Sequence, residues 1–557
     1  MKLWKKFGFI ASAMAMLGLT APLSIPAAEA ASPVQVSMFA SPSTQIINMN
    51  TNWFTKYVEK KFNMNITWVE APASDEQTKE SLLLESGKYP PVFWGGSFTP
   101  VQELQYGTEG IFLPLNNLLK KYAPNAWKAI NTVPGFKQGV TAPNGDIYGL
   151  PAYNWCWHCD WSAKMWINVK LLKKFHLSMP TTTGQFENVL EVFKKHGIDP
   201  LVGATVGPGG GWHSNPTTFL MNSFVYDDEN GSNSDYFFIN PKGKLAFAPA
   251  QSGWKQGLEY LHTLYANGLM DKTAMTQNNT QLQAQVNSGK VGVFPYGCKQ
   301  CVINNYGTPQ SHFNDWVSMA PLKGPKGINY SPFYGLPPSG ATFALTNTST
   351  PAQQIAVMKL INFLYTPLGT QMMDFGPEGK YWTYAKKGQK GLMGTQAIFN
   401  TNFNEFYNGS SQQNWGWNQL GPMYQSFKWR NGYVAYPPNT GEGSESMLQL
   451  ETEMNNTGHQ PKLVYPGFAW IPSDQVQQYA MYQTNIDNYV NQWMDQFIAG
   501  TKSLSKDWNT YIQGLNGLGL QQYLQTTQQY MGKPFNTSSF TKSEKDIKFL
   551  EGLNKKG

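Results

Sequence analysis

The sequence contains a single arginine, Arg430, among its 557 residues. Arginine supplies the rigid two-pronged donor that proteins use to clamp carboxylate and phosphate groups, so the composition disfavours an anion-specific clamp. Charged residues are only 14% of the chain, and its formal net charge of +7 is spread out without a basic block. Because a nucleic-acid-binding surface needs a concentrated basic stripe, we predict no nucleic-acid partner.

Long apolar runs are missing after residue 31. A membrane-spanning helix needs about 20 predominantly apolar residues, so we predict none. Lysines precede the apolar stretch 7–20, and Ala28-Glu29-Ala30 matches an A-x-A cleavage site, which together predict a secretory signal over residues 1–31. No cysteine follows that site to carry a lipid. We therefore expect a secreted, extracellular protein on the cell-surface side of the membrane, without a lipobox or transmembrane anchor.

Recognisable catalytic motifs such as HExxH and GxSxG are missing, and the seven histidines are scattered. The acidic run Asp227-Asp228-Glu229 could supply the paired carboxylates of a glycoside hydrolase. It lies in a polar, turn-like segment, where solvated acids are commoner. We predict that the protein is not an enzyme, with a secreted glycosidase or lyase as the alternative.

Aromatic residues are plentiful, at 14% of the chain with 19 tryptophans. Most should pack in the core, but Trp94, Trp212, Trp382 and Trp415 stand next to glycine, asparagine or tyrosine in loop-like segments. Loops run over protein surfaces, so we expect such rings to line a binding site. A flat apolar ring beside amide groups suits a sugar, whose C–H face stacks and whose hydroxyls need hydrogen-bond partners.

The order of the first elements predicts a mostly parallel α/β sheet. Residues 34–40, 65–69 and 91–94 have the pattern of strands, with helices predicted over 44–61 and 76–84 between them. Ligands of such sheets bind beyond the carboxyl ends of the strands, where Trp94 falls.

The stretch 146–176 marks the passage to a second lobe. A strand-like run ends at Pro151, an aromatic cluster follows, and a new strand is predicted over 165–168. Further helices are predicted over 185–196, 254–267, 280–287 and 473–499, and Ser505 should cap a last one. Strands are predicted over 290–295 and 342–345, and the second of them should return to the first lobe. We expect a loop-rich segment over 396–472 and a frayed tail from Asn536.

These elements predict an α/β, two-lobed periplasmic-binding-protein-like fold of type II, with the ligand cleft between the lobes. We expect residues 32–150 plus about 320–385 to form the first lobe. Residues 151–319 plus about 386–557, helix-rich at the end, should form the second.

Short motifs in a fixed order carry a family resemblance over about residues 33–530. They are ESGKYPPVF (85–93), GIFLPL (110–115), NGDIYGLP (144–151), WIN (166–168) before Leu171-Leu172, NGL (267–269), SGKVGVF (288–294), KLINFL (359–364) and FIAG (497–500) before Asp507-Trp508. With them the chain resembles the extracellular solute-binding proteins of family 1, the ABC-importer receptors for sugars and oligosaccharides. The branch it resembles is the long Gram-positive one related to the lipoprotein LipO and, more distantly, to alginate-binding proteins.

The resemblance implies the secreted substrate-binding component of an ABC transporter, a monomer that binds a saccharide, expected to be an oligosaccharide, and delivers it to membrane permease subunits. A receptor for a peptide or lipid-like ligand is a further alternative. Many members of this branch carry an acidic calcium loop, but the matching segment 195–202 has one carboxylate, Asp199. A calcium cage needs several oxygen ligands, so we expect no calcium.

The four cysteines form two CxxC pairs, Cys156 with Cys159 and Cys298 with Cys301. Outside the cell disulfides are favoured, while four thiolates could hold a structural zinc. A redox role would place a pair at a helix N-terminus, which neither segment suggests. Both pairs follow strands expected near the cleft, so we predict that all four sulfurs meet, as disulfides or as a zinc cluster; no other cofactor is expected.

The predicted ligand site consists of aromatic rings with one amide partner. Each residue follows a predicted strand or stands in a loop near the cleft: Trp94, Tyr153, Asn154, Trp155, Trp212, Tyr296 and Trp382.

Overall fold

The computed structural model describes residues 32–204, 212–228, 236–303, 312–403 and 412–555. The predicted signal sequence and residues 205–211 of the glycine-rich loop before Trp212 lie outside this part of the chain. The compact unit described below is Val34–Gly557. Within the described residues, no helix combines the length and apolarity needed to cross a membrane.

The strands are numbered in chain order. They are β1 (Val34–Ala40), β2 (Met64–Glu70), β3 (Val92–Phe98), β4 (Gly149–Leu150), β5 (Tyr153–Asn154), β6 (Met165–Asn168), β7 (Asp199–Leu201), β8 (Phe237–Ile239), β9 (Leu245–Phe247), β10 (Val291–Pro295), β11 (Trp316–Ser318), β12 (Ala341–Leu345), β13 (Trp382–Tyr384), β14 (Phe399–Thr401), β15 (Tyr424–Gln425), β16 (Leu463–Val464) and β17 (Phe535–Asn536).

The first lobe is built on a five-stranded sheet of order β2-β1-β3-β12-β4. Strand β1 pairs in parallel with β2 and β3, as the alternation of helices and strands predicted. Strand β12 returns from far along the chain and pairs antiparallel with both β3 and β4. Its predicted return to the first lobe is confirmed.

The second lobe is built on a four-stranded sheet of order β11-β6-β10-β7. Strand β6 pairs antiparallel with β10 and β11, and β10 pairs in parallel with β7. Two sheets with separate cores confirm the two-lobed α/β architecture.

The helices cover these sheets and continue to the C-terminal end of the described chain. Their bounds are Trp53–Phe62, Glu76–Glu85, Pro100–Thr108, Asn116–Tyr122, Pro124–Thr132, Phe136–Val140, Val169–Lys174, Thr183–Lys195, Pro216–Met221, Ser252–Ala266, Asn279–Asn287, Pro351–Leu364, Pro367–Phe375, Phe427–Arg430, Ser444–Asn455, Val476–Ala499, Trp508–Gly517, Leu520–Tyr530 and Glu544–Asn554.

Local sequence explains several of these boundaries. A capping box forms at Thr350, whose hydroxyl accepts the Gln353 N–H while the Gln353 side chain accepts the Thr350 N–H. The helix predicted over 44–61 begins only at Trp53, because the Asn52 side chain caps it by accepting the Phe54 N–H. Gly500 ends the helix Val476–Ala499 in the left-handed conformation.

Two predictions about the C-terminal third are wrong. The segment predicted to be loop-rich contains the helix Ser444–Asn455, whose buried face is largely polar and therefore shows no apolar stripe. The helix predicted after Ser505 begins at Trp508 and is not the last, since Leu520–Tyr530 and Glu544–Asn554 follow it. The second of these lies in the tail from Asn536 that was expected to be frayed.

The packing of the cores also differs from the prediction at one lobe boundary. Trp417, Phe399 and Tyr433 pack in the first core, although residues after 385 were assigned to the second lobe. The reason is aromatic packing: the Trp417 ring lies 4.8 Å from Phe54 and 5.4 Å from Trp94, centroid to centroid. The helix Val476–Ala499 packs in the second core, as predicted.

Candidate functional site

A cavity of about 640 Å³ opens between elements of the two lobes. On the first-lobe side it is lined by residues 99–102, which follow β3, and by residues 152–155, which follow β4. Residues 334–339, before β12, complete this side. Because β12 runs opposite to β3 and β4, all three segments meet at one edge of the sheet, the edge at which α/β sheets present ligands.

The opposite side of the cavity comes from later parts of the chain. Phe237 of β8, residues 465–469 and Phe535 of β17 contribute, together with Phe540. The first turns of the helix Val476–Ala499 add Tyr479 and Gln483 among others. The cavity lining therefore combines aromatic rings with amide, hydroxyl and carboxyl groups.

Tyr153 and Asn154 reach the cavity on β5, which is fixed to the first lobe. Strand β5 pairs in parallel with β15, and the Tyr153 ring stacks on Tyr424 at 6.0 Å between centroids. Tyr424 stacks in turn on Tyr365 at 4.8 Å. Burial raises the pKa of the Tyr153 phenol, so this hydroxyl stays protonated and can donate a hydrogen bond.

Two oxygen atoms at the cavity have no hydrogen-bond partner among the described residues: Asn154 Oδ1 and Asp160 Oδ2. Asp160 is only 4% exposed. Its main-chain carbonyl accepts a hydrogen bond from the Tyr334 N–H at 2.8 Å. Burial raises the pKa of Asp160 well above its ordinary value. Buried polar atoms normally have partners, so these two shielded oxygens are exceptions among the residues that line the cavity.

A disulfide-closed loop separates Trp155 from Asp160. Cys156 is bonded to Cys159, and Arg430, the only arginine of the chain, donates hydrogen bonds to Cys156 Sγ and Glu445 Oε2, both at 3.0 Å. The His158 ring lies 3.2 Å from the same Glu445 oxygen.

The charges around this loop are buried and mutually dependent. Burial raises the pKa of Glu445, but Arg430 and His158 outweigh it and lower that pKa to about 2. Lys164, which is fully buried, donates hydrogen bonds to the carbonyls of His158 and Trp161 at 3.0 and 2.6 Å. Burial lowers the pKa of Lys164 to about 7. These contacts fix the loop that carries the cavity residues on either side of it.

The predicted meeting of all four sulfurs is wrong. Cys298 is bonded to Cys301 and packs in a separate core cluster with residues of β10 and β11. Within the described ranges, one group brings three metal-ligating side chains within 4.8 Å, namely Cys156, His158 and Cys159. The Arg430 guanidinium, 3.3 Å from His158 Nε2, places a positive charge against this group.

Of the predicted site residues, Tyr153, Asn154 and Trp155 line the cavity. Their part in ligand binding stays a prediction. Trp94 does not reach it: the residue is fully buried, and its indole N–H donates to the Leu420 carbonyl at 3.2 Å. The strand continues to Phe98, so Trp94 is a core residue of β3 and not the first residue of a loop.

The other three predicted rings also lie elsewhere. Trp382 is 3% exposed, donates to the Gly376 carbonyl at 2.9 Å, and borders a separate cavity of about 240 Å³. Tyr296 is buried in the second lobe beside Cys298. Trp212 is 41% exposed and packs over Gly297, where a Cβ would meet its ring, away from the cavity lining.

The sequence prediction missed Asp160 and the lining segments 334–339 and 465–469. Both segments combine aromatic residues with proline and glycine, YGLPPS and YPGFA, which is the same signal that selected Trp94 and Trp382. Nothing local in the sequence distinguishes Asp160, because its position depends on the disulfide loop before it.

Comparison with known proteins identifies relatives of the whole fold. Residues 50–371 match the family model described as bacterial extracellular solute-binding protein. The fructooligosaccharide ABC transporter substrate-binding protein FusA of Streptococcus pneumoniae is 23% identical over 517 residues, which cover 88% of this chain and 89% of FusA.

Two solved structures show the same fold. FusA in complex with kestose superposes with a TM-score of 0.71 at 20% identity, covering 89% of this chain and 98% of the other. An extracellular solute-binding protein from Bifidobacterium longum subsp. infantis gives 0.74 at 18% identity, covering 89% and 97%.

Proposed function

We propose, from the premise that this chain belongs to the bacterial extracellular solute-binding protein family, that it is the sugar-binding component of an ABC importer. It binds an oligosaccharide in the cavity between its lobes and delivers it to a membrane permease. The observation that carries this proposal is the cavity itself, whose lining combines aromatic rings with amide, hydroxyl and carboxyl side chains.

The cavity has the size and chemistry that a sugar chain requires. Its volume of about 640 Å³ lies within the range of roughly 300–1,000 Å³ usual for ligand sites. Rings such as Tyr153 and Trp155 offer flat faces for the C–H side of a sugar, while Asn154, Gln102 and Gln483 offer amides for hydroxyl groups. An apolar lipid-like ligand would leave these polar groups without partners.

The named relative supports an oligosaccharide in particular. FusA is the substrate-binding protein of a fructooligosaccharide transporter, and it has been solved with kestose and with fructo-nystose. Fructooligosaccharides are therefore the first ligands to test.

An enzyme using the same cavity is the second candidate. Asp160 and Asp228 are the carboxylic acids that line this cavity, and such an enzyme would have to use them. The family and the named relative, however, are solute-binding proteins, the relative being part of a transporter. We propose that the protein returns its sugar uncleaved, acts outside the cell as a monomer, and needs no metal for binding.

The test is calorimetric titration with fructo-, malto-, xylo- and galacto-oligosaccharides, followed by chromatography of the recovered sugar. We expect saturable binding of at least one series and no cleavage products. A lack of binding to every series would contradict the proposal, and cleavage would favour the enzyme.

Point variants locate the site. Tyr153→Ala and Trp155→Ala each remove a stacking ring worth about 1–2 kcal/mol, so each should weaken binding roughly 5- to 30-fold. Trp415→Ala is the matched control, because Trp415 is a partly exposed tryptophan outside the cavity lining. Wild-type affinity in both cavity variants would place the site elsewhere.

A further inference from the structure

We propose that one helical face of the first lobe binds an extended polymer of phosphate groups through its lysines. This surface, called the lysine face below, is formed by four helices: Trp53–Phe62, Asn116–Tyr122, Pro124–Thr132 and Pro351–Leu364. These helices contribute no residue to the lining of the cavity between the lobes. The inference therefore goes beyond sugar binding and does not depend on it.

The five-stranded sheet of the first lobe separates the lysine face from the opposite side. Successive side chains of a strand point to opposite faces of its sheet. Val92 and Trp94 of β3 accordingly pack in the core under the four helices, whereas Phe93 packs in a second cluster with Leu84. The helix Glu76–Glu85, which carries Leu84, thus covers the other side of the sheet.

The two sides of this sheet differ in charge. The four helices of the lysine face contain one acid, Glu59. They also contain seven exposed lysines: Lys56, Lys60, Lys61, Lys120, Lys121, Lys128 and Lys359. By contrast, the helices Glu76–Glu85 and Pro100–Thr108 together carry four glutamates and one lysine. Folding therefore collects on one face lysines that are dispersed along the sequence.

Contacts between the four helices make their lysines one continuous surface. The helix Pro351–Leu364 packs against the other three, and its Asn362 side chain accepts the Asn125 N–H at 2.9 Å. The Lys61 ammonium group lies 4.9 Å from the centre of the Phe363 ring on the neighbouring helix. Lys120 likewise lies 5.0 Å from the Trp127 ring. Such cation–π contacts position the ammonium groups without neutralising them.

Most of these cations have no acidic partner in the described chain. Lys56 pairs with Glu59 at 2.8 Å, and the salt bridges found among the described residues include none of the other six lysines. One further acid, Asp146, borders the face near the start of Asn116–Tyr122, and its carboxylate accepts a hydrogen bond from the Tyr148 hydroxyl at 3.1 Å. The face thus keeps a clear excess of positive charge.

The kind of side chain favours a phosphate polymer as the partner. Lysine contacts phosphate as a point charge, without the geometric selectivity of the arginine fork, and the four helices contain no arginine. Recognition by charge alone depends on how closely charges follow one another along the partner. A polymer with a charge on every phosphate unit can contact several of these lysines at once.

Two other anionic partners fit less well. The large apolar side chains that are markedly exposed in the described residues do not belong to these four helices, so the face offers none to insert into a lipid bilayer. Single-stranded nucleic acid stacks its bases on aromatic rings, but Phe363 and Trp127 lie under ammonium groups.

The experiment measures binding of long-chain inorganic polyphosphate by calorimetry between about 50 and 200 mM salt, with tripolyphosphate as the short-chain comparison. The face variant combines four changes: Lys60→Gln, Lys61→Gln, Lys120→Gln and Lys121→Gln. The matched control removes four exposed lysines of the second lobe: Lys242→Gln, Lys244→Gln, Lys502→Gln and Lys506→Gln.

We expect wild-type protein to bind the long polymer at least about 10-fold more tightly than tripolyphosphate at low salt, because more phosphates are contacted at once. Each contacted phosphate steepens the dependence of log affinity on log salt by about 0.7. The face variant should therefore show a slope shallower by about 3 and an affinity lower by at least about 10-fold. The control variant should bind polyphosphate as wild type does, and both variants should keep wild-type sugar affinity.

The contrary outcomes concern this face alone. Equal affinity of wild-type protein for long and short chains would overturn the inference, even if the face variant failed to fold. An equal loss in both variants would also overturn it, since the charge of the whole chain would then be responsible. Tighter binding, at equal phosphate concentration, to phosphatidylglycerol vesicles or to single-stranded DNA would assign the face to a bilayer or to nucleic acid instead. A sugar panel without any ligand would contradict only the proposed function.

Discussion

Replacing Arg430 by alanine should destabilise the protein more than any ordinary surface change. Arg430 donates to Glu445 and to Cys156 Sγ, both at 3.0 Å, and the Arg430 and Glu445 side chains are only 12% and 17% exposed. Removing the cation leaves the Glu445 carboxylate with the His158 ring as its remaining side-chain hydrogen-bond partner among the described residues.

The magnitude follows from the Glu445 carboxyl group. Although burial alone would raise its pKa, the Arg430 and His158 contacts lower it from 4.5 to about 2. Each pKa unit corresponds to about 1.4 kcal/mol, so the folded state favours the charged carboxylate by roughly 3 kcal/mol. Breaking one side of a buried ion pair costs about 3–5 kcal/mol, which agrees. We expect Arg430→Ala to lower the free energy of unfolding by about 3 kcal/mol.

Urea unfolding at pH 7, followed by tryptophan fluorescence, measures this loss. Lys428→Ala is the matched control, since Lys428 is an exposed cation in the same short helix and its removal should change stability by less than about 0.5 kcal/mol. The double variant Arg430→Ala with Glu445→Gln should recover part of the loss, because no unpaired charge remains. If Arg430→Ala were as stable as Lys428→Ala, the network around Cys156 would not stabilise the fold.

Three further predictions concern acidity, packing and metals. Burial and the nearby Glu76 raise the pKa of Glu80 from 4.5 to about 8. The protonated form of Glu80 therefore stabilises the fold below about pH 4.5, and this contribution is lost as the pH rises towards 8. The melting temperature of Glu80→Gln should increasingly exceed that of wild type between pH 5 and 9, a trend that the exposed control Glu85→Gln should not show. Trp94→Ala should lower the free energy of unfolding by about 3–5 kcal/mol in urea titrations and leave sugar affinity in the folded protein unchanged, unless Trp94 contacts ligand after all. Adding EDTA should leave the melting temperature unchanged; a fall reversed by Ca²⁺ or by Zn²⁺ would reveal a metal site of the corresponding kind.

Regular periodicity allowed much of the framework to be predicted. Val34–Ala40 and Met165–Asn168 form strands over the predicted residues. In these cases the local pattern and the tertiary packing favour the same structure. The helix Ser444–Asn455 was missed because Ser446, Gln449 and Glu453 face inward, so burial does not follow hydrophobicity there.

The site was harder to predict because the residues next to an aromatic ring in the sequence do not determine how deeply that ring is buried. Trp94 and Trp155 both stand near glycine, asparagine or cysteine in the sequence, yet one is in the core and the other lines the cavity. The difference lies in how far β3 extends and in the pairing of β5 with β15. Pairings between residues about 270 positions apart are not visible in a local pattern.

The segregation of the cavity from the two main sheets has a consequence for how this molecule could evolve. The lining residues lie outside β1–β4, β6, β7 and β10–β12, which form those sheets. Substitutions in segments such as 334–339 or 465–469 can therefore exchange one cavity-lining side chain for another without altering strand register. Insertions there are also tolerated more readily than in a strand. The two main sheets can therefore stay unchanged while substitutions in individual lining segments change the ligand preference.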